Sequence, residues 1–240
     1  YYPLALILII LMFLSLIYFF YRSSRAASQN KLWTAMAKET AHQIGTPLSS
    51  LIGWKELLKD EKINPSYIKE IGNDIKRLET ITERFSKIGS KPKLRVMDIN
   101  KATEKSIYYL KSRSSELIDY EIKIPKTVNN VNLSLELYGW AIENLVKNGI
   151  DAMKGKGKLK VIVNSNEEYA FIEISDSGKG ILKNSYKTIF ETGYTTKKRG
   201  WGLGLSLAKR IIEQYHNGKI KVLKSEVGKG TTIQISLKKL

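Results

Sequence analysis

No cysteine occurs among the 240 residues, which removes disulfides, thiolate nucleophiles and cysteine-held zinc from consideration. Histidine is nearly as scarce. Two residues, His42 and His216, are too few for a histidine-rich metal centre. Acid is in deficit, with 23 Asp and Glu against 40 Lys and Arg and a net charge of +17. Such a balance invites a nucleic acid or an anionic membrane. The lysines are scattered rather than gathered into one stripe, so no nucleic-acid partner is expected. The first residue is Tyr1 rather than Met, and the chain is expected to be a fragment or a processed form. Its length suits one or two compact domains with appendages.

Charge is also missing from Tyr1 to Tyr21, a run dominated by Leu, Ile and Phe. As a helix it would extend about 31 Å, enough to cross a bilayer core. Tyrosines stand at both ends, and Arg22 and Arg25 follow, so residues beyond 22 are expected on the cytoplasmic side. A signal peptide fits worse, because no basic region precedes the run and no small-residue cleavage site follows it. Residues 1–22 are therefore read as a transmembrane helix in contact with membrane lipid.

Residues 23–38 are polar but helix-friendly and form a linker helix that continues toward Leu58. Ile44, Leu48, Leu51, Lys55 and Leu58 alternate steps of four and three, a seam broken only by Lys55. Asn64-Pro65 is a helix start, with a capping side chain before Pro at the first helical position. Ile68, Ile71, Ile75, Leu78, Thr82, Phe85 and Ile88 make a second seam. Two such seams are not well buried in one hairpin, so residues 39–90 are expected to dimerise into a four-helix bundle. Gly89-Ser90-Lys91-Pro92 breaks the pattern and marks a domain boundary.

Residues 93–240 mix element types. Helices are expected over 101–117, 135–153 and 205–215, and strands over 121–124, 159–163, 170–174, 219–223 and 231–237. Strand hairpins with interspersed helices give an α/β sandwich, a mixed or antiparallel sheet with helices on one face. Within it three stretches suggest chemistry. Asn144 and Asn148 are four apart on one helix face, and amide oxygens suit Mg²⁺ while amide nitrogens can donate to phosphate. Asp176-Ser177-Gly178-Lys179-Gly180 ends a strand, where a carboxylate can accept from an adenine amino group and glycines allow close approach. Gly200-Trp201-Gly202-Leu203-Gly204 opens a helix, a phosphate-binding arrangement. The polar, basic run Thr192–Arg199 before it has the character of a mobile lid. Each stretch alone also suits plain surface or turn residues.

In their order and spacing these stretches resemble the sensor histidine kinases of two-component signalling. Asn144 to Ala152 looks like the family's N box, Asp176 to Gly180 its G1 box, Phe190 its F box, Gly200 to Gly204 its G2 box, and Gly228-Lys229-Gly230-Thr231 its last glycine box. His42-Gln43-Ile44-Gly45-Thr46-Pro47-Leu48 looks like the H box of a HisKA-type domain. The resemblance implies a bacterial cytoplasmic-membrane protein with its kinase domains in the cytoplasm. It implies a dimerisation and phosphotransfer domain at 39–90 and a GHKL-type ATP-binding domain at 93–240. It implies ATP held with Mg²⁺ on Asn148, Asn144 and Lys147 near the phosphates, and Asp176 on the adenine. Gly178, Gly180, Gly200, Gly202, Leu203, Gly204 and Thr231 complete that site. His42 would be phosphorylated from ATP and pass the group to an aspartate of a response-regulator receiver domain. Asn144 stands where ATPases of the same fold carry a water-activating glutamate, which suits a kinase. Thr46 matches the position that orients water for dephosphorylating the regulator, so a second, phosphatase activity is expected.

Two residues depart from the family. Gln43 replaces the acid that usually follows the histidine. Three roles stay open: Gln43 orients the ring and solvent takes the proton, Glu39 on the same face supplies the carboxylate, or autokinase activity is weak. The last leads to an alternative function, an ATP-binding signalling scaffold. Gly149 replaces a common Ala at a cost of about 1 kcal/mol in helix propensity. His216, at a helix end before Asn217-Gly218, is expected to cap that end against the helix dipole.

Overall fold

The computed structural model describes residues 2–58, 65–88, 92–197 and 202–240. Within the first two helices it describes the side chains of 3–21, 23, 24, 44, 48, 49, 51–56, 58, 66–76, 78–80 and 82. The chain divides into two compact units, 1–91 and 92–240.

The first unit is two helices, α1 (Tyr2–Leu58) and α2 (Pro65–Ile88), packed on each other. Within α1, Pro3–Tyr21 is long and apolar enough to cross a membrane, with a mean hydropathy of 2.8 and none of it buried. The helix runs on through Pro47, although proline has no N–H for the Gln43 carbonyl. The hairpin buries only part of its seams. Leu48 and Ile75 are each 6% exposed, whereas Leu51 is 42% and Ile71 37% exposed.

The second unit begins with β1 (Arg95–Asp98), whose last residue caps α3 (Ile99–Lys111) by accepting the Asn100 N–H. This helix is shorter than the expected 101–117. It closes in a turn in which Ser114 Oγ donates to the Leu110 carbonyl, and β2 (Ile118–Lys123) follows. Next come β3 (Asn130–Leu133), α4 (Leu135–Ala152) and the hairpin β4 (Gly157–Ser165) and β5 (Tyr169–Asp176). The chain ends with α5 (Gly204–Arg210), β6 (Lys219–Glu226) and β7 (Gly230–Lys238).

Five strands form a mixed sheet in the order β2-β4-β5-β7-β6. The β2–β4 pair is parallel and the other pairs are antiparallel. The parallel pair needs a long crossover, and α4 supplies it. β1 and β3 form a separate antiparallel pair. Alternation sets the layers: Leu159, Val161 and Val163 of β4, Ala170, Ile172 and Ile174 of β5, and Ile233, Ile235 and Leu237 of β7 are buried. Apart from Thr232, their neighbours on the other face are less buried, as in a sheet covered on one side only. Leu137, Ala141, Leu145 and Gly149 of α4 recur at intervals of four and are buried. Each fully buried Leu or Ile contributes about 1.5–3 kcal/mol, so this stripe fixes which face of α4 remains for polar work.

The expected helix over 205–215 changes character halfway. α5 widens into a π-helical turn, Ile211–Tyr215, that ends at His216. The His216 ring is 6% exposed and accepts the Ser134 N–H on Nε2 at 3.0 Å. Its Nδ1 therefore carries the proton and donates to the Ile211 carbonyl at 2.8 Å. Burial lowers the His216 pKa. The ring thus caps the helix end through Nδ1, as a neutral group, and its Nε2 also straps this turn to the start of α4.

Candidate nucleotide-binding site

The polar face of α4 carries the Asn pair in a defined orientation. Asn144 Nδ2 donates to the Trp140 carbonyl at 2.9 Å, and Asn148 Nδ2 donates to the Asn144 carbonyl at 2.7 Å. A carbonyl can only accept, so each amide must turn its nitrogen back to the helix. Both Oδ1 atoms then point away from the α4 backbone, that of Asn144 toward Gly204 and that of Asn148 toward Lys197, as neutral hard oxygens that fit an Mg²⁺ ligand set. The amide nitrogens, expected to be available to phosphate, are engaged within the helix. Lys147 pairs with Glu143 one turn back, Nζ to Oε1 2.6 Å, and is largely exposed.

α4 ends close to Asp176. A Cβ on Gly149 would stand 3.1 Å from Leu159 Cδ1 and 3.2 Å from Asp176 Cβ. The glycine that weakens the helix thus lets it approach β5 tightly, a relation not visible in its propensity alone. Asp176 Oδ1 accepts the Gly178 N–H at 2.8 Å. Burial raises the Asp176 pKa, and backbone N–H groups, including those of Gly178 and Thr231, partly offset this. A carboxylate at this strand end is half-buried and anchored, with acceptor capacity left for a ligand donor.

The glycines around Asp176 are required by close backbone contact. At Gly178 a Cβ would lie 2.6 Å from the Ala152 carbonyl carbon. Gly180 has φ of 70°, and a Cβ there would collide with the Glu226 carbonyl oxygen. The β6–β7 turn lies directly on this loop: Gly228 N–H donates to the Lys179 carbonyl at 2.9 Å, and Ile181 N–H to Ser225 Oγ at 2.8 Å. Thr231 is 5% exposed, and its Oγ1 lies 2.9 Å from Ser225 Oγ. Sequence reasoning singled out Thr231 but missed Ser225, an ordinary strand residue without local signal.

The third side comes from the glycine-rich turn before α5. Gly202 has φ of 64°, and its carbonyl accepts the Gly193 N–H at 3.2 Å. Leu203 supplies the carbonyl that starts α5, accepting from Leu207 N–H at 2.9 Å and Ser206 Oγ at 3.0 Å. A Cβ on Gly204 would lie 3.0 Å from Asn144 Oδ1, so the missing side chain brings this turn onto the Asn pair. Gly200 lies outside the described residues.

Segment 192–197 bridges these parts. Lys179 Nζ donates to Thr196 Oγ1 at 2.8 Å. Lys197 Nζ stands 3.0 Å from Asn148 Oδ1 and 2.6 Å from Asp151 Oδ2. Asp151 and Lys197 were not singled out from the sequence, although an acid three residues after Asn148 shares its face. Phe190 is buried, with Lys209 Nζ 5.9 Å from its ring centroid. The side chains of His42, Gln43 and Thr46 lie outside the described residues. Their backbone belongs to α1.

Residues 137–240 match the model of the histidine kinase-, DNA gyrase B- and HSP90-like ATPase family. The chain is 28% identical over 259 residues to sporulation kinase D of Bacillus subtilis, covering 98% of this chain and 49% of that protein. It spans about half the length of that relative. Its fold is similar to full-length ShkA, solved in complex with AMPPNP, with a TM-score of 0.64 at 18% identity over 84% of this chain and 45% of that one. It is also similar to histidine kinase ThkA, solved with the response regulator TrrA, with a TM-score of 0.56 at 24% identity over 85% of this chain and 61% of that one. The last hundred residues, with their Asn pair, anchored Asp176 and glycine turns, thus belong to the histidine kinase-, DNA gyrase B- and HSP90-like ATPase family.

Proposed function

We propose that the chain is the kinase core of a membrane-bound two-component sensor. ATP bound to residues 93–240 phosphorylates His42 in the domain at 39–90, and the group then passes to an aspartate of a response-regulator receiver domain. The observation that carries this reading is that the Asn144 and Asn148 amides turn their oxygens away from the α4 backbone, beside Asp176 and the glycine turns. The likeness to sporulation kinase D along 98% of the chain supports the wider assignment.

The residues divide the work. Asp176 accepts from the adenine amino group. Asn148 Oδ1 would hold Mg²⁺, which when bound would supply positive charge against the phosphate oxygens of the triphosphate. Asn144 offers an amide where a general base would activate water, so hydrolysis is not favoured over transfer. The His42 ring nitrogen attacks the γ-phosphorus, the bond to the β-phosphate oxygen breaks, and ADP leaves. The ring proton goes to solvent or to Glu39, with Gln43 holding the ring by a hydrogen bond. Thr46 orients water in the reverse duty, dephosphorylation of the regulator.

The chain acts as a homodimer. Leu51 and Ile71 lie on the seams yet remain exposed, which a second hairpin completing a four-helix bundle would correct. Pro3–Tyr21 anchors the dimer in the membrane, and residues 23–38 carry the signal from there to His42.

Incubation of the full chain with γ-labelled ATP and Mg²⁺ tests the proposal. Acid-labile label on wild type that is lost in His42→Ala is expected. Nucleotide binding without label would leave an ATP-binding scaffold. Phosphate release independent of His42 would indicate an ATPase.

A further inference from the structure

We propose that Asn148 Oδ1 and Asp151 Oδ2 form one cation position, which the Lys197 ammonium and a divalent metal occupy by exchange. The inference rests on the Mg·ATP reading of the site and adds Asp151 and Lys197 to it.

The structure holds a cation at this position. Lys197 Nζ lies 3.0 Å from Asn148 Oδ1 and 2.6 Å from Asp151 Oδ2. The two oxygens are three residues apart on α4 and share a face. The Asn148 oxygen faces outward because its Nδ2 is tied to the Asn144 carbonyl at 2.7 Å. Ammonium needs acceptors only, and so does a hard divalent ion. One neutral and one anionic oxygen serve both. They do not serve both at once, since two cations at that spacing repel.

Exchange is feasible because the lysine is weakly held. Lys197 and Asp151 are 45% and 54% exposed, and such pairs are easily displaced. Within Mg²⁺ coordination Asp151 acts directly or through a bound water, as carboxylates commonly do. The consequence reaches segment 192–197, which is tethered to the site by Lys197 on Asn148 and Asp151 and by Thr196 on Lys179 at 2.8 Å. A metal that takes Asn148 removes the first tether. The segment is loosened. Linkage is reciprocal: Lys197 weakens metal binding to the same degree that metal weakens the Lys197 tether.

The test measures ADP affinity of the full chain in EDTA and in excess Mg²⁺, together with hydrogen exchange of amides 192–197. In Lys197→Met the gain in ADP affinity from Mg²⁺ is expected to rise about tenfold, and in Asp151→Asn to fall by a similar factor. Mg·ADP should speed exchange in 192–197 of wild type. Lys197→Met should exchange fast from the start and respond little. Lys179→Met, which removes the Thr196 tether, should loosen the segment without changing the Mg²⁺ gain. An Mg²⁺ gain equal in wild type and Lys197→Met overturns the exchange while ADP binding leaves the nucleotide reading intact. Wild type that binds no ADP under either condition overturns both.

Discussion

His216 and Ser134, 82 residues apart, are joined by a hydrogen bond from the Ser134 N–H to the His216 ring at 3.0 Å. One buried imidazole thereby ties the π-helical end of α5 to the start of the helix that carries the Asn pair. Its pKa is lowered by burial from the ordinary 6.5. The folded state therefore binds fewer protons than the unfolded state below that pH. Stability from this group is complete above about pH 6.5 and is lost as pH falls through the depressed folded value. His216→Ala should cost about 2 kcal/mol at neutral pH, two hydrogen bonds at roughly 1 kcal/mol each. Urea denaturation from pH 7.5 down to 5 should show a flatter profile for the variant. A parallel profile would remove His216 as the source.

Asp176 carries the opposite sign. Its folded pKa lies above the ordinary 3.8 because of burial. A carboxylate so shifted favours folding at low pH and opposes it once ionised. Asp176→Asn should leave the melting temperature at pH 7.5 unchanged or higher, since the amide oxygen still accepts from Gly178. Nucleotide affinity should fall about tenfold to a hundredfold, by the 1–3 kcal/mol of an unmet buried donor. Paired melting curves and ADP titrations decide this, and a large loss of stability would contradict it.

Two positive-φ glycines separate strain from crowding. Gly155, with φ of 80°, has nothing near a built Cβ, and Gly155→Ala should cost only the left-handed backbone penalty of about 1–2 kcal/mol. Gly180, with φ of 70°, faces the Glu226 carbonyl, so Gly180→Ala adds a backbone collision. Its cost should exceed that of Gly155→Ala by about 1–3 kcal/mol, as for overpacking elsewhere. Equal denaturant midpoints would show that the β6–β7 turn yields freely.

Gln43→Glu tests how the His42 proton is handled. If the amide only orients the ring, a carboxylate does so and also takes the proton. The variant should autophosphorylate at least as fast as wild type in a time course with labelled ATP. A large loss would mean that the amide is specifically needed.

Thr46→Ala should leave phosphohistidine formation intact and slow regulator dephosphorylation by about a hundredfold, the lower range for a lost positioned group in proton-transfer chemistry. The decay of a phosphorylated receiver domain in the presence of each kinase reads this directly. Unchanged decay would exclude a role for the hydroxyl.

Long periodic elements were legible in the sequence. α2 begins at the expected Pro65, α4 spans nearly the expected range, and the β4–β5 hairpin follows its alternation. The short strands β1 and β3 were missed, because four residues carry too little pattern. The parallel β2–β4 pairing was missed because it depends on a crossover rather than on neighbours in sequence. The π-helical turn has an apolar spacing that also suits an α-helix, and only the distant Ser134 distinguishes it. In the site, Asn144, Asn148 and Asp176 were legible as types in a spacing. The direction of each amide was not, since it depends on which backbone carbonyl takes the nitrogen. Lys197 looked like any lysine in a basic run, and Gly149 like a plain loss of helix propensity.

The β4–β5 hairpin places its turn, residues 166–168, and Asp176 at opposite ends of the same pair of strands. Six residue steps separate the Ser165 and Leu159 pairings, about 20 Å at 3.3 Å per residue. Glu167 at that turn is exposed, so a dye or spin label attached there stands clear of Asp176 and the glycine turns and leaves them undisturbed.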